Sequence, residues 1–215
     1  MENLYPAFIN LSGKSCLVVG GGKVSERKVQ SLLESKACVT LVSPEITESL
    51  KELHTSGKIT YIPEKYSSPH IEGVFLVICA TDIKEVNQTV FSDAREKNIL
   101  VNVVDKPELC NFYVPSQLKR GDLSIAISTH GRSPALARKI RKELTAQFGD
   151  EYAQLLEILG SKREELMTRC NSTEKRGEIL KKVVNSDVLE VLRSKGRKET
   201  EKYIEDIMSK NLEER

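Results

Sequence analysis

The chain has 215 residues, and its 33 lysines and arginines nearly balance its 31 aspartates and glutamates, for a formal net charge of +2. This balance argues against nucleic acid as the partner, and a chain with no tryptophan and 5% aromatic residues offers few platforms for base stacking. We expect no signal peptide and no membrane span, because the N-terminus lacks a charged region followed by an apolar one and no apolar run reaches membrane-spanning length.

The first half of the chain alternates between apolar segments typical of strands and amphipathic segments typical of helices. Strands are predicted over residues 15–20, 37–43, 58–66, 73–81 and 99–105, and helices over 23–35, 44–57 and 86–98. The segment 73–81 is the most apolar, as expected of a central parallel strand. The alternation predicts an α/β fold with a Rossmann-type parallel sheet, in a domain that comprises residues 1–110.

Three consecutive glycines, Gly20, Gly21 and Gly22, directly follow the first predicted strand. Glycine permits a tight turn, and the helix that begins near Lys23 points its free N–H groups towards the turn, which favours an anion. Residues 20–25 match the dinucleotide motif G-x-G-x-x-G/A, with Ser25 as the third small residue. The motif predicts dinucleotide binding, and a glycine-rich turn that binds nothing is the alternative.

Two further positions belong to the same predicted site. An acidic residue about 20 residues beyond the glycines commonly binds the adenosine ribose, but Ser43 stands there, followed by Pro44 and Glu45. The acid is missing or displaced by two residues, and no arginine is present for a 2′-phosphate, which favours NAD over NADP. Asp105 ends the predicted strand 99–105, where ligands of open α/β sheets bind; a turn or capping role is the alternative.

After Pro107 the pattern changes to two strands around a turn at residues 119–122, which predicts an antiparallel hairpin within residues 111–129. A helix follows, with Ser133 as its N-cap and Pro134 as its first residue. Polar and basic residues at this junction favour a carboxylate-rich ligand, although a capped helix with a basic surface is equally compatible. The candidates are Ser124, Ser128, Thr129, His130, Arg132 and Arg138.

From about residue 150 the chain is helical in pattern and heavily charged, which predicts a small helical domain with a solvated face. The five cysteines are scattered and form no Cys-x-x-Cys motif, so we interpret them as reduced thiols of a cytoplasmic protein. His54, His70 and His130 show no metal-ligand spacing, and we expect no stable metal centre. A transient metal-handling site stays open.

Five segments occur in a specific order and spacing: GGGKVSERK, LVSPEI, ATD, NVVDKPELCNFYVPS and AISTHGRSPALARKIRKEL. Together they resemble the precorrin-2 dehydrogenase family of sirohaem biosynthesis. The resemblance implies an NAD-binding Rossmann domain, a dimerisation region over residues 111–148 and a helical C-terminal domain over 149–215, in a homodimer. It implies oxidation of precorrin-2 to sirohydrochlorin with hydride transfer to NAD+, and some family members also insert iron.

The resemblance also assigns roles to individual residues. By matching position, Asp105 is the catalytic residue, and NAD is bound by Gly20, Gly21, Gly22, Lys23, Val24, Ser43, Pro44 and Glu45. Thr129 stands where some members carry a serine that can be phosphorylated, and His130 stands where glycine is common. The substrate that the resemblance implies is a tetrapyrrole rich in carboxylates, which is compatible with the anion-binding character expected at the junction of hairpin and helix.

Three functions stay open at this point. The first is a dehydrogenase alone, the second is a dehydrogenase that is also a sirohydrochlorin ferrochelatase, and the third is a non-catalytic NAD-sensing module. The chain offers no segment for the methyltransferase domain of fused relatives, so we expect no methylation activity.

Overall fold

The computed structural model describes residues 4–213. It consists of two compact units, with the boundary between Val114 and Pro115. A finer division of the second unit at residue 148 stays a prediction. Within residues 4–213, no helix is both long and apolar enough to cross a membrane.

The first unit is a parallel sheet with helical connections. Its strands are β1 (Ser15–Val19), β2 (Cys38–Val42), β3 (Thr60–Ile62), β4 (Leu76–Cys79) and β5 (Leu100–Val103). Its α-helices are α1 (Lys23–Glu34), α2 (Glu48–Thr55) and α3 (Lys84–Glu96). The five strands are all parallel, in the order β3-β2-β1-β4-β5. This order confirms the predicted Rossmann-type α/β fold.

Helices cover both faces of the sheet, and the alternation of side chains divides β1 between two cores. Cys16 and Val18 join a cluster that includes residues of α1 and α2, whereas Leu17 and Val19 join a cluster that includes residues of α3. All four are at most 3% exposed, which explains why this strand is apolar from Cys16 to Val19.

The strand order places the candidate site. From β1 the chain continues to β2 and β3 on one side, whereas β4 and β5 lie on the other side. In open α/β sheets, such a reversal of strand order opens a crevice at the carboxyl ends of the two central strands, and ligands bind there. The glycine turn after β1 and the loop after β4 both lie at this edge.

The second unit combines a hairpin with four helical elements. The hairpin pairs β6 (Ser116–Arg120) with the antiparallel strand β7 (Leu123–Ile127). The helices are α4 (Pro134–Gln147), α5 (Glu151–Arg169), α6 (Thr173–Val184) and α7 (Val188–Glu213). The predicted hairpin is confirmed, as is the Ser133 N-cap, whose hydroxyl accepts a hydrogen bond from the Leu136 N–H at 3.2 Å.

The predicted helical tail is confirmed, and α5, α6 and α7 share an apolar core. Its fully buried members include Leu166, Val183 and Met208. Not every apolar residue of the tail contributes to this core, since Leu156 is 37% exposed and Val184 is 59% exposed. The element α7 is interrupted at Gly196, whose φ of 78° and ψ of −178° are not helical.

Ion pairs join α5 to α7 along their length. Arg193 Nη2 on α7 lies 2.6 Å from Glu151 Oε1 at the start of α5. Lys162 Nζ on α5 lies 3.0 Å from Glu205 Oε2 on α7. Arg169, the last residue of α5, lies 2.6 Å from Glu205. Partial burial raises the pKa of Glu205, but the hydrogen bonds that it accepts from Arg169 and Lys162 outweigh this effect and lower the pKa to about 2.

Candidate functional site

The glycine turn after β1 is wedged between the loops that follow β4 and β2. Gly20 has a φ of 113°, and a Cβ at this residue would lie 2.3 Å from the carbonyl oxygen of Ala80. A Cβ at Gly21 would lie 1.9 Å from the carbonyl oxygen of Glu45. The turn is also hydrogen-bonded on one side, since the Thr47 N–H donates to the Gly21 carbonyl at 3.1 Å. Neither glycine therefore has room for a side chain.

Gly22 faces open space instead. Its φ of −89° and ψ of −173° are ordinary extended values, and it is the N-cap of α1, with no side-chain cap. A Cβ at this residue would meet nothing within 4 Å. Exposed N–H groups at a helix N-terminus beside an open cradle fit a phosphate group. The residues present therefore fit a dinucleotide.

The first turn of α1 contains the remaining residues of the motif. The Lys23 ammonium lies 3.1 Å from Glu26 on an exposed surface, and Val24 is half-buried. Ser25 is fully buried, and its hydroxyl has no hydrogen-bond partner. A small residue at this position permits the close packing of helix and strand that the motif requires.

The turn after β2 lies directly against Gly21. The Ser43 hydroxyl donates to the Glu45 carbonyl at 2.7 Å, and the Tyr61 hydroxyl donates to the Pro44 carbonyl at 3.2 Å. The donor of Ser43 is therefore used inside the turn, and Glu45 supplies the exposed acidic side chain of this segment. The structure thus brings the Ser43–Glu45 segment and the glycine turn together, as the sequence predicted, while their roles towards a cofactor stay a prediction.

Asp105 lies beyond β5 rather than at its end. The predicted strand extended to Asp105, but β5 ends at Val103, where the chain turns and the Lys106 N–H donates to the Val103 carbonyl at 3.2 Å. Asp105 adopts a left-handed φ of 59° and is exposed. Aspartate is among the few residues that tolerate this conformation. The turn therefore presents its carboxylate at the carboxyl edge of the sheet.

Two residues near Asp105 were not predicted from the sequence. Cys110 places its sulfur within hydrogen-bond distance of the backbone on both sides of Asp105. Lys28 on α1 is close enough to Asp105 and Cys110 to interact with both electrostatically. Burial lowers the pKa of Lys28, the neighbouring Arg27 lowers it further, and Asp105 and Cys110 oppose the shift. No spacing rule connects these residues in the sequence, because they meet only when α1 packs on the sheet.

In the second unit, the segment after β7 forms a turn in which backbone N–H groups donate to side-chain hydroxyls of the same segment. The His130 N–H donates to the Ser128 hydroxyl at 3.2 Å, and the Ser133 N–H donates to the Thr129 hydroxyl at 3.2 Å. His130 has a left-handed φ of 53°, and Arg132 is exposed. The structure therefore brings four of the predicted anion-binding residues into one turn: Ser128, Thr129, His130 and Arg132. The hydroxyls of Ser128 and Thr129 accept these bonds, so each still has a proton that it can donate.

The other two predicted anion-binding residues lie outside this turn. Arg138 is exposed on α4, and its Nε donates to the Pro134 carbonyl at 3.4 Å. Ser124 is on β7, on the hairpin face opposite the buried Leu118, because Leu118 pairs with the next residue, Ile125. Their contribution to ligand binding stays a prediction.

A doubly wound parallel sheet with a glycine turn and an uncapped helix at its switch point defines a Rossmann-type dinucleotide-binding protein. Residues 7–116 match the family described as "Putative NAD(P)-binding", and residues 120–147 match the family "Sirohaem biosynthesis protein central". The chain belongs to this NAD(P)-binding family, which supports a nicotinamide cofactor.

Individual relatives are similar along most of the chain. The siroheme synthase of Pseudoalteromonas translucida is 36% identical over 208 residues, which cover 97% of this chain and 44% of that protein. The siroheme synthase of Methylobacillus flagellatus is 40% identical over 176 residues, or 82% of this chain and 38% of that protein. The chain thus spans less than half the length of these curated relatives.

A solved structure matches over nearly the whole chain. The structure titled "SirC, precorrin-2 dehydrogenase" has a TM-score of 0.80 and 27% sequence identity, and the match covers 96% of this chain and 100% of that chain. Together with the family matches, it confirms the resemblance to the precorrin-2 dehydrogenase family that the sequence motifs indicated.

Proposed function

We propose that this protein is a precorrin-2 dehydrogenase, which oxidises precorrin-2 to sirohydrochlorin in sirohaem biosynthesis. The observation that carries the proposal is the match to a precorrin-2 dehydrogenase structure, which includes both units and leaves no part of that chain uncovered. The glycine turn and the exposed carboxylate of Asp105 also support the proposal. Both lie at the carboxyl edge of one parallel sheet, where a bound cofactor and a general base could act on the same substrate.

The cofactor that we propose is NAD. Bound NAD+ supplies a hydride acceptor for the oxidation. The backbone of Gly20 to Gly22 and the first N–H groups of α1, at Lys23 and Val24, hold the pyrophosphate. The turn formed by Ser43, Pro44 and Glu45 accommodates the adenosine ribose, and its exposed acidic side chain disfavours the additional phosphate of NADP.

Asp105 is the proposed general base. Oxidation of precorrin-2 removes two electrons as a hydride and also releases a proton. An exposed carboxylate at the edge of the sheet can take this proton, and general-base catalysis typically contributes about 100- to 10,000-fold in rate. The left-handed turn holds the carboxylate away from the strand, towards solvent and substrate.

The second unit supports the proposals for substrate binding and assembly. Hydroxyl, imidazole and guanidinium groups at the start of α4 suit the carboxylates of a tetrapyrrole; they belong to Ser124, Ser128, Thr129, His130, Arg132 and Arg138. We propose a homodimer through residues 111–148, because a two-stranded hairpin is marginal alone and Leu136 of α4 is 48% exposed. Five thiols, of which three are buried, suit a reducing cytoplasm.

The experiment is a dehydrogenase assay with precorrin-2 and NAD+ on the wild type and on Asp105→Asn. Asparagine tolerates the left-handed backbone, so we expect unchanged NAD affinity and a turnover lower by at least about 100-fold. Near-normal turnover in the variant would make Asp105 a turn residue only. NAD binding by a wild type without turnover would instead favour a non-catalytic NAD-sensing module.

The dimer is tested separately by sedimentation velocity at low micromolar concentration. We expect a species of twice the chain mass for the wild type. Leu136→Asp, which places a charge on the exposed apolar position, should shift the population towards the monomer. A wild type that sediments as a monomer would contradict the proposed assembly.

A further inference from the structure

The turn that carries Asp105 is spanned by a side chain that the proposed reaction does not use. Cys110 is half-buried, directly after the short 3-10 helix Pro107–Leu109. Its Sγ accepts a hydrogen bond from the Val103 N–H at 3.3 Å. The same Sγ lies 3.3 Å from the Val103 carbonyl and 3.2 Å from the Lys106 carbonyl, to either of which the thiol can donate. One sulfur thus connects the backbone before and after Asp105.

The thiol itself is held in place by the strand. Asn102 is 9% exposed, and its side-chain amide donates to Cys110 Sγ at 3.6 Å and to the Phe112 carbonyl at 3.0 Å. The next residue, Asn111, bonds the backbone of β5 through its own side chain. Burial raises the pKa of the Cys110 thiol, which keeps its proton for donation, although the Val103 N–H opposes the shift. The returning segment is therefore fixed to β5, and Cys110 extends this fixation to the turn.

The backbone at Asp105 adopts an unfavourable conformation that it would leave without support from its surroundings. A left-handed residue other than glycine is held in a sparsely populated conformation, and such a conformation persists only when its surroundings determine it. Asp105 has a φ of 59° and is exposed, so its own side chain contributes little to this restraint. The Cys110 thiol supplies it, because its sulfur accepts from the Val103 N–H and can donate to the Val103 or the Lys106 carbonyl. These bonds add to those that the two carbonyls accept from the Lys106 and Leu109 N–H groups.

We propose that Cys110 is a positioning residue, which fixes the direction of the Asp105 carboxylate through the backbone of the turn. This inference rests on the proposed function of Asp105 as general base. Displacement of a catalytic group by about 1 Å can cost about 100-fold in rate. Loss of the thiol therefore lowers turnover and leaves NAD binding intact, because the thiol bonds the backbone of Val103 and Lys106 and the glycine turn keeps its own contacts with the loops after β2 and β4.

The test compares Cys110→Ala, which removes the hydrogen bonds, with Cys110→Ser, which keeps a donor and an acceptor. The matched control is Cys16→Ala, because Cys16 is fully buried in the same unit and belongs to the hydrophobic core. For each folded variant, the measurements are kcat, the KM of precorrin-2, the Kd of NAD+, and amide hydrogen exchange of residues 103–106.

For Cys110→Ala we expect a kcat lower by about tenfold or more, a Kd of NAD+ within about twofold of the wild type, and faster exchange at Val103 and Lys106. Cys110→Ser should recover most of the kcat and the protection. Cys16→Ala should lower the melting temperature and leave kcat unchanged, which separates positioning from general loss of stability.

Two results would overturn the inference. One is a Cys110→Ala variant with wild-type kcat, and the other is exchange at Val103 and Lys106 that does not differ between Cys110→Ala and the wild type. A wild type without dehydrogenase activity would refute the proposed function instead. In that case the exchange comparison still decides whether Cys110 holds the turn.

Discussion

The open space beside Gly22 allows a sharp test of the cofactor site with the variant Gly22→Asp. A Cβ at this residue meets nothing within 4 Å, and the φ of −89° suits any L-residue. Aspartate is moreover a favoured N-cap, and α1 has no side-chain cap at present. We therefore expect the variant to fold and to melt at or slightly above the temperature of the wild type.

The same carboxylate should repel a dinucleotide strongly. Two unit charges about 5 Å apart at an effective dielectric constant of about 20 repel each other by roughly 3 kcal/mol. Since about 1.4 kcal/mol corresponds to a tenfold change in affinity, the Kd of NAD+ should rise on the order of 100-fold. Salt screens exposed charges over about 10 Å at 0.1 M, so the loss should shrink at higher ionic strength.

Isothermal titration calorimetry with NAD+ at two salt concentrations, combined with thermal unfolding, measures both effects. Gly22→Ala is the matched control, because it adds the Cβ without the charge and should lose much less affinity. A folded Gly22→Asp variant with wild-type affinity would exclude the glycine turn from the cofactor site. Equal losses for the two variants would show that the space, and not the charge, limits binding.

Three further outcomes follow from contacts of the fold. Gly21→Ala should lower the free energy of unfolding in urea by about 1–3 kcal/mol, because its Cβ meets the Glu45 carbonyl oxygen at 1.9 Å; wild-type stability would contradict this close approach. Glu205→Gln should cost about 1–2 kcal/mol at neutral pH, a figure discounted for solvent screening. Because the folded pKa of Glu205 is lowered to about 2, from 4.5, this stabilisation is present above pH 4.5 and disappears as the pH falls towards 2; a difference that persists at pH 2 would refute it. Lys28→Met should remove part of the rise in stability of the wild type as the pH approaches 10.5, since the folded state lowers the pKa of Lys28 and the unfolded state binds the proton more tightly; parallel pH profiles of the two proteins would contradict this.

The sheet and the glycine turn could be predicted from the sequence because their signals are local. Apolar runs mark the buried strands, and glycine at residues 20 and 21 reflects close approaches of backbone to backbone, at 2.3 Å and 1.9 Å for an added Cβ. The ends of strands were harder to predict: Asp105 was predicted to end a strand, and it lies in a turn instead. The hydrogen bond from Lys106 to Val103 decides this, and no pattern of side chains encodes it.

The supporting residues of the candidate site could not be predicted, since their partners are backbone atoms or distant residues. Cys110 was interpreted as one of several scattered thiols, and no sequence pattern distinguished Lys28 within the predicted helix 23–35. Lys28 acquires its importance only through the packing of α1 on the sheet, and Cys110 only through the return of its segment to β5. The tail had a similar limit, because its helical pattern does not show that the apolar Val184 is 59% exposed.

The ion pairs between α5 and α7 have a consequence for the direction in which these helices pack. Near the start of α5 the acid belongs to α5 and the base to α7, as Glu151 and Arg193. Near its end the signs are exchanged, with Arg169 on α5 and Glu205 on α7. An antiparallel arrangement would bring Arg193 to Arg169 and Glu205 to Glu151, so that both ends would meet like charges. Exposed pairs of this kind add little stability, but their reversed polarity selects one orientation of the two helices and penalises the other.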